Sequence, residues 1–429
     1  MESSLYIRSV RENLEDFWAA VSAAGWSAEE LLERAEESLK HTEELLEHAE
    51  KSLEHAEESS KLGVKPLEHA AALIEKTSKL PETAKTQQPF SPLQLKELRS
   101  LSARTGIDLP QLVCFNRYAG VLMPEECTVY FAAGRAGQNG WTVFGKNSDK
   151  TGNAAFDSEL YYKNRQISVV NWYDNPDGSH IIGVAAAGST GLKMGLNSHG
   201  VAVGTNYGET VLAQKKALDV DQKMAGDRAQ IAREALTEKT ALAAAQKAVA
   251  YVMEHPMASS GLLEFADPYE VIVVESAYDY VALRRIRDEV DSRANFFNIL
   301  PQLNRPGNIS SFCRYHRSQK LLKAAEGGVT AQDLIRISMD HANGPGGNSI
   351  CRHSHSMKSA TLAAAVMELN GDHPEQSLIH IALGTPCTAW TSEEGHLTLS
   401  MSDPAEAIPE GFRNGEVFRE FCLNEPKTD

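Results

Sequence analysis

Cysteines close enough to pair are missing from this chain. The six it has, at positions 114, 127, 313, 351, 387 and 422, are widely spread and form no C-x-x-C. That spacing argues against a disulfide framework and against the usual structural zinc motif. Excess positive charge is missing too. Against 58 acidic residues stand 42 lysines and arginines, giving a net charge of −16. No basic patch is dense enough to neutralise a phosphate backbone, so no nucleic-acid partner is expected. No apolar run approaches the roughly 20 residues that a membrane span requires. The opening MESSLYIRSV has no basic segment followed by an apolar one, so no secretory signal is read, and the compartment expected is the reducing cytoplasm.

Nucleotide-binding loops are also absent. There is no G-x-x-x-x-G-K-[ST] and no strand-coupled G-x-G-x-x-G, and GPGGNS at 344–349 lacks the lysine and reads as a loop. No cofactor is expected. His199, His316, His353 and His355 raise the question of a metal. The H-x-H of His353 and His355 has no second pair to complete it, so no metal site is expected either.

What is present divides by composition. A hydrophobic fraction of 42% supports a real core. Residues 1–80 are charged and helical in pattern. Leu32, Ala35, Leu39, Thr42, Leu46, Ala49, Leu53 and Ala56 alternate spacings of three and four, a heptad seam, and LEHAEKS is nearly copied as LEHAEES. The segment reads either as a solvated amphipathic helix or as an arm for docking or self-association. Gly63 and Pro66 predict a break, with a second helix from Pro66 to about Lys79. LPETAKTQQPFSP, residues 80–92, reads as a linker, and residues 81–126 as that linker plus two short helices started by Ser91-Pro92 and by Asp108.

From Thr128 onward the rhythm becomes that of strands. TVYFAAG and WTVFGKN predict two strands joined by a turn, and QISVVNWY, HIIGVAAAG, GLKMGLNS and VAVGTNYG continue the series. Residues 225–255 predict a helix and 269–285 a hairpin. Helices at about 315–326 and 330–342 follow, then strands in SATLAAAVMEL and SLIHIALG. Strands and helices in separate blocks give an α+β class with a catalytic domain over 127–429.

Cys127 sits where the composition changes. It is either a small buried hydrophobe or a nucleophile made N-terminal by a cut between Glu126 and Cys127. In the second case the freed α-amine, with an unperturbed pKa of roughly 7.7–8, would be base for its own thiol. Asparagines in GKNSD, GTNYG and RANFF stand at strand ends, where an amide can donate to an oxyanion or simply close a turn. Lys146 and Asp149 near the thiol would act on its charge; on a surface turn they would mean little. Arg314, in SSFCRYHR, is open in the same way. A Cys-His-Asn protease is a further alternative.

The runs CTVYFA, FGKNSD and GLNSHGVAVGTNYG resemble the opening of cysteine N-terminal nucleophile hydrolases. GNSICRHSHSMKSATLAAAVMEL and IALGTPCTAW resemble the closing part of the penicillin acyl-coenzyme A acyltransferase family. FGKNSD is similar to the dipeptidase and secernin branch, and choloylglycine hydrolases share the order of motifs. The resemblance covers about residues 91–400 and not residues 1–80. It implies a four-layer αββα sandwich with the nucleophile opening a central strand. It implies Cys127 as nucleophile and, through its amine, base, with Lys146 and Asp149 beside it. Asn206 would support the site or the oxyanion, Asn295 would hold the oxyanion, and Arg314 would stabilise the site. Two departures stand out: Glu126 replaces the glycine common before the nucleophile, and Lys146 the arginine of choloylglycine hydrolases. The activity implied is self-processing cleavage or transfer of a linear small-molecule amide through acyl-Cys127, the N-terminal fragment staying bound and a homo-oligomer forming through the heptad segment. The alternatives are a dipeptidase of the same superfamily and an inactive assembly protein.

Overall fold

The computed structural model describes residues 5–61, 91–123, 125–151, 168–175, 177–212, 227–254, 257–278, 280–325, 327–344, 346–353, 359–393, 395–409 and 418–421. Two helices come first, α1 (Leu5–Ala23) and α2 (Ala28–Lys61). A break at Gly25, with φ of 75°, separates them within the stretch read as helix; α2 runs to Lys61, and the break expected at Gly63 and Pro66 lies outside the described residues. The expected helix from Pro66 and the 80–90 linker lie outside the described residues. The two short helices are found as α3 (Pro92–Thr105) and α4 (Leu109–Leu122). Ser91 caps α3 in a reciprocal capping box with Gln94, which satisfies two of the donors that a helix start leaves orphaned.

Strands β1 (Cys127–Ala132), β2 (Val143–Thr151), β3 (Ser168–Asp174), β4 (His180–Ala186), β5 (Met194–Asn197) and β6 (Ala202–Tyr207) follow. The stretch expected as one helix is two, α5 (Arg228–Ala235) and α6 (Ala241–Glu254). Then come β7 (Met257–Asp267), β8 (Glu270–Tyr278), β9 (Tyr280–Ile286), β10 (Val290–Arg293), α7 (Ile309–Lys323), α8 (Ala331–Ser338), β11 (Ser359–Glu368), β12 (Leu378–Leu383), α9 (Pro386–Ala389), β13 (His396–Ser400) and β14 (Phe418–Phe421). Strands β7, β10, β13 and β14 were not expected.

One sheet has six strands in the order β10-β1-β2-β11-β12-β13; the other has eight, β14-β3-β4-β5-β6-β7-β8-β9. All neighbours run antiparallel except β14, which pairs parallel with β3. The inner faces share one core. Val129, Phe131 and Phe144 of the first sheet pack with Val170, Ile182 and Met194 of the second. On the outer face of the second sheet, Ile231 and Ala232 of α5 and Ala244 and Ala248 of α6 cover Val203 and Phe265. On the outer face of the first, Leu322 of α7 and Leu334 and Ile337 of α8 cover Tyr130 and Val366. The molecule is therefore α+β, with the layers helix, sheet, sheet, helix.

The N-terminal helices join this sandwich. Val10, Leu14 and Phe17 of α1, Leu31 and Ala35 of α2 and Leu112 and Phe115 of α4 form a core that includes Val169 and Ala185 of the second sheet. The first part of the heptad seam is thus used within the chain. Arg117, fully buried on α4, donates to Ser38 Oγ at 2.8 Å, and Cys114 lies 3.3 Å from the carbonyl oxygen of Leu31. Helix α4 consequently delivers the chain into β1 from a fixed platform.

Candidate active site

Cys127 is the first residue of β1 and pairs with Ser148 of β2. Alternation then sorts the neighbours. Lys146 shares the face of Cys127, while Thr128, Asn147 and Asp149 share the other. Gly145 pairs with Tyr130, whose ring lies where a Cβ at 145 would stand. Tyr130 in turn donates its hydroxyl to Asn147 Oδ1 at 2.8 Å. The hairpin that carries the site is fixed by this contact as well as by its ladder.

The peptide between Glu126 and Cys127 is gripped on both sides. The carbonyl oxygen of Glu126 accepts the backbone N–H of Asp149 at 2.8 Å. The N–H of Cys127 donates to Asn295 Oδ1 at 3.1 Å. Arg314 of α7 reaches in from the outer face and donates to the Cys127 carbonyl at 2.6 Å, to Thr128 Oγ1 at 2.7 Å and to Asn295 Oδ1 at 2.7 Å. It also pairs with Glu126 at 3.1 Å. Burial beside Arg352 brings Arg314 down to about 10, which leaves it cationic at neutral pH.

Asn295 presents its oxygen, rather than its amide nitrogen, to Cys127; Nδ2 donates to Tyr207 O at 2.9 Å. Asn206, on β6, donates to Ala294 O at 3.2 Å, and its buried Oδ1 has no partner among the described residues. Lys146 is fully buried and donates to Lys193 O at 3.0 Å. Asp149 accepts from Thr361 Oγ1 at 2.7 Å and lies 3.6 Å from Arg352 Nε. All six residues singled out from the sequence are buried. Contacts join Cys127, Asn295 and Arg314 directly. Lys146 and Asp149 act on the Cys127 thiol through their charge, and Asn206 joins through Ala294, the neighbour of Asn295.

Three further groups were not foreseen. Arg352, in the loop before β11, is fully buried and contacts both Glu126 and Asp149. Glu125 pairs with Lys193 at 2.6 Å. Thr361 sits on β11 at a register shift, opposite Asp149. Glu125 is one residue from the Glu126–Cys127 peptide, and Arg352 lies within GNSICRHSHSMK; neither carries a local pattern that sets it apart.

The electrostatics are those of an unactivated thiol. Burial pushes the Cys127 thiol up; Lys146 and Lys193 pull it back, and Glu125 and Asp149 add to the rise. Burial also raises Asp149 against the pull of Arg352 and Arg314. For Glu126 the balance reverses. Burial would raise its carboxyl, but Arg352 and Arg314 outweigh that and hold it below its usual range. Glu126 is therefore an anion clamped between two arginines. Beside the Glu125–Lys193 pair opens a partly open cavity of about 70 Å³, lined by Phe115, Met123, Ala185, Lys150 and Asp227 among others.

The family model described as acyl-coenzyme A:6-aminopenicillanic acid acyl-transferase matches residues 135–375. No curated protein matches the chain. Among solved structures, the chain is similar to the Caenorhabditis elegans ortholog of N-acylethanolamine-hydrolyzing acid amidase, with 15% identity and a TM-score of 0.39, over 58% of this chain and 97% of that one. It is also similar to two variants of conjugated bile acid hydrolase from Clostridium perfringens. Each is 9% identical over 64% of this chain and 92% of the other, with TM-scores of 0.32 and 0.36.

Proposed function

The chain belongs to the acyl-coenzyme A:6-aminopenicillanic acid acyl-transferase family, and from that premise we propose that it severs its own bond between Glu126 and Cys127 and then turns over a linear small-molecule amide on Cys127. It is an N-terminal nucleophile amidohydrolase or acyltransferase by family. The observation that supports self-cleavage is the grip on the scissile peptide, with the Glu126 carbonyl on the Asp149 N–H and both sides of Cys127 held by Asn295 and Arg314.

In the first step the Cys127 thiol adds to the Glu126 carbonyl carbon, and the developing oxyanion rests on the Asp149 N–H. The C–N bond breaks, its nitrogen takes the thiol proton, and the Glu126 acyl group is left on sulfur as a thioester. Water hydrolyses that thioester to a Glu126 carboxylate and a free thiol. The α-amine now at Cys127 has an intrinsic pKa near 7.7–8 and takes the thiol proton. Lys146 favours the thiolate, Asn295 and Arg314 orient the terminus, and the free amide hydrogens of Asn206 and Asn295 serve the oxyanion of the substrate. One such donor is worth about 10²–10³ in rate. Water or an amine then removes the acyl group from Cys127.

The cavity beside Glu125 is the place proposed for the acyl chain, since Glu125 is the next-to-last residue of the upstream fragment after a cut and can withdraw. The upstream fragment stays attached through the core it shares with the sandwich. A homo-oligomer through the LEHAEKS and LEHAEES repeats belongs to the same proposal. A reducing compartment such as the cytoplasm belongs to the same proposal, since the widely spread cysteines form no disulfide framework in the sequence.

The test is a denaturing gel of purified protein with N-terminal sequencing. A cut before Cys127 divides the 429 residues into 126 and 303, bands of about 14 and about 33 kDa from the 46.9 kDa chain. Cys127→Ala should give one band and no turnover. A wild-type protein that stays whole while turning over substrate overturns the processing step. A panel of N-acyl amines and dipeptides then separates the amidase from the dipeptidase.

A further inference from the structure

A second cluster of chemistry lies outside the nucleophile site. His341 follows α8, Cys351 and His353 flank Arg352 in the loop before β11, and Cys387 lies in α9. Their four donor atoms all fall within 4.8 Å of one another. His341 Nε2 is 3.0 Å from His353 Nε2, Cys387 Sγ is 3.4 Å from the same nitrogen, and Cys351 Sγ is 4.0 Å from it.

These separations can be compared with what one ion demands. Zinc binds histidine nitrogen at about 2.0–2.1 Å and thiolate sulfur at about 2.3 Å. In a tetrahedron those lengths place two nitrogens about 3.4 Å apart and a nitrogen and a sulfur about 3.6 Å apart. Each of these three separations lies within half an ångström of its target. Two imidazole nitrogens facing each other share at most one proton, whereas an ion between them satisfies both. Two thiols and two imidazoles are also the donor set that selects zinc over magnesium or calcium.

We propose that His341, Cys351, His353 and Cys387 bind one zinc ion as a closed structural site. With four protein ligands no position is left open for substrate, so the ion is not catalytic. Both thiols bind as thiolates, and two protons per ion pass to solvent. The ion ties three separate segments together and fixes the residues on either side of Arg352. Arg352 itself points away from the cluster, donating to Gly347 O at 2.9 Å and contacting Glu126 and Asp149. The site would thus hold in place the loop from which the nucleophile region takes one of its two arginines.

The expectation of no metal rested on the absence of a second pair for H-x-H. The pairing found is different: His353 joins His341 and two cysteines drawn from distant segments.

The experiment uses the full chain, purified under reducing conditions from zinc-supplemented cells, with metal measured by elemental analysis. Wild type should carry one zinc per chain. Exchange into cobalt should give the visible bands of tetrahedral Co²⁺ and a thiolate-to-cobalt charge-transfer band in the near ultraviolet. Cys387→Ser and His341→Gln, both at partly exposed positions, should lose the metal. The cobalt spectrum of wild type stands alone if a variant fails to fold. Reduced wild type that holds no zinc and gives no cobalt spectrum overturns the site. So does a Cys351–Cys387 disulfide found without metal uptake, or full metal content in both variants.

Discussion

Arg314 Nη2 lies 2.7 Å from Asn295 Oδ1, the same oxygen that accepts the Cys127 N–H at 3.1 Å. One amide oxygen thereby ties a helix on the outer face to the start of the central strand. Arg314 makes this contact together with those to Cys127, Thr128 and Glu126, all from a fully buried guanidinium. Lysine offers the charge without the planar fork. Arg314→Lys should therefore slow cutting before Cys127 by at least about 10²-fold, the scale of one lost donor in a preorganised site. A time course of precursor disappearance on a gel checks this. Cutting at the wild-type rate would remove Arg314 from the grip.

Glu125 adds to the rise of the Cys127 thiol, and its pairing with Lys193 blunts a cation that pulls the thiol down. Glu125→Gln removes the first effect and releases the second. In a chain held uncut, the pH profile of thiol alkylation should move to lower pH. A profile that stays put or moves upward would show that Glu125 does not govern the thiol.

Glu264, on β7, is fully buried with both carboxylate oxygens unpartnered among the described residues. Burial raises it to about 8, against the pull of Lys146 and Arg293. A carboxyl raised in the folded state binds more protons there than in the unfolded chain. Its contribution is full below the unfolded value of 4.5 and is lost as pH rises towards about 8. Thermal stability should thus fall over that window, by a few kcal/mol at most. Glu264→Gln should flatten the fall. Equal slopes for both proteins would assign the pH dependence elsewhere.

Phe17 of α1 is fully buried and meets Phe115 edge-on with ring centres 5.9 Å apart. Phe115 belongs to α4, which leads into the site. Phe17→Ala should cost about 3–5 kcal/mol in denaturant unfolding. The arm is then part of the folded unit, and deleting residues 1–61 should leave poorly folded protein. A stable, active deletion would reverse that reading.

The sequence showed the hairpin of β1 and β2 because two short runs rich in β-branched and aromatic residues flank a polar, glycine-bearing turn. It hid β10, whose VDSR has no apolar rhythm; its charge is buried because Arg293 pairs with Asp291 at 2.7 Å. It hid β7 as well, since MASSG reads as a loop until β6 and β8 pair with it. Arg352 was illegible for a related reason. Its partners Glu126 and Asp149 lie more than two hundred residues upstream, so nothing nearby marks it. The histidine–cysteine quartet escaped because its four members come from three segments at no standard spacing. What was legible is local: caps, strands and the place of Cys127 at the head of β1.

Tyr130 and Gly145 carry a consequence for descent. A side chain at 145 collides with the tyrosine ring, and a smaller residue at 130 abandons the hydroxyl that Asn147 accepts. Neither position can drift by itself without disturbing the strand that carries Lys146 and Asp149. Lineages that keep this chemistry should inherit the two as a pair, and a relative in which both have changed should have rebuilt the contact with other atoms.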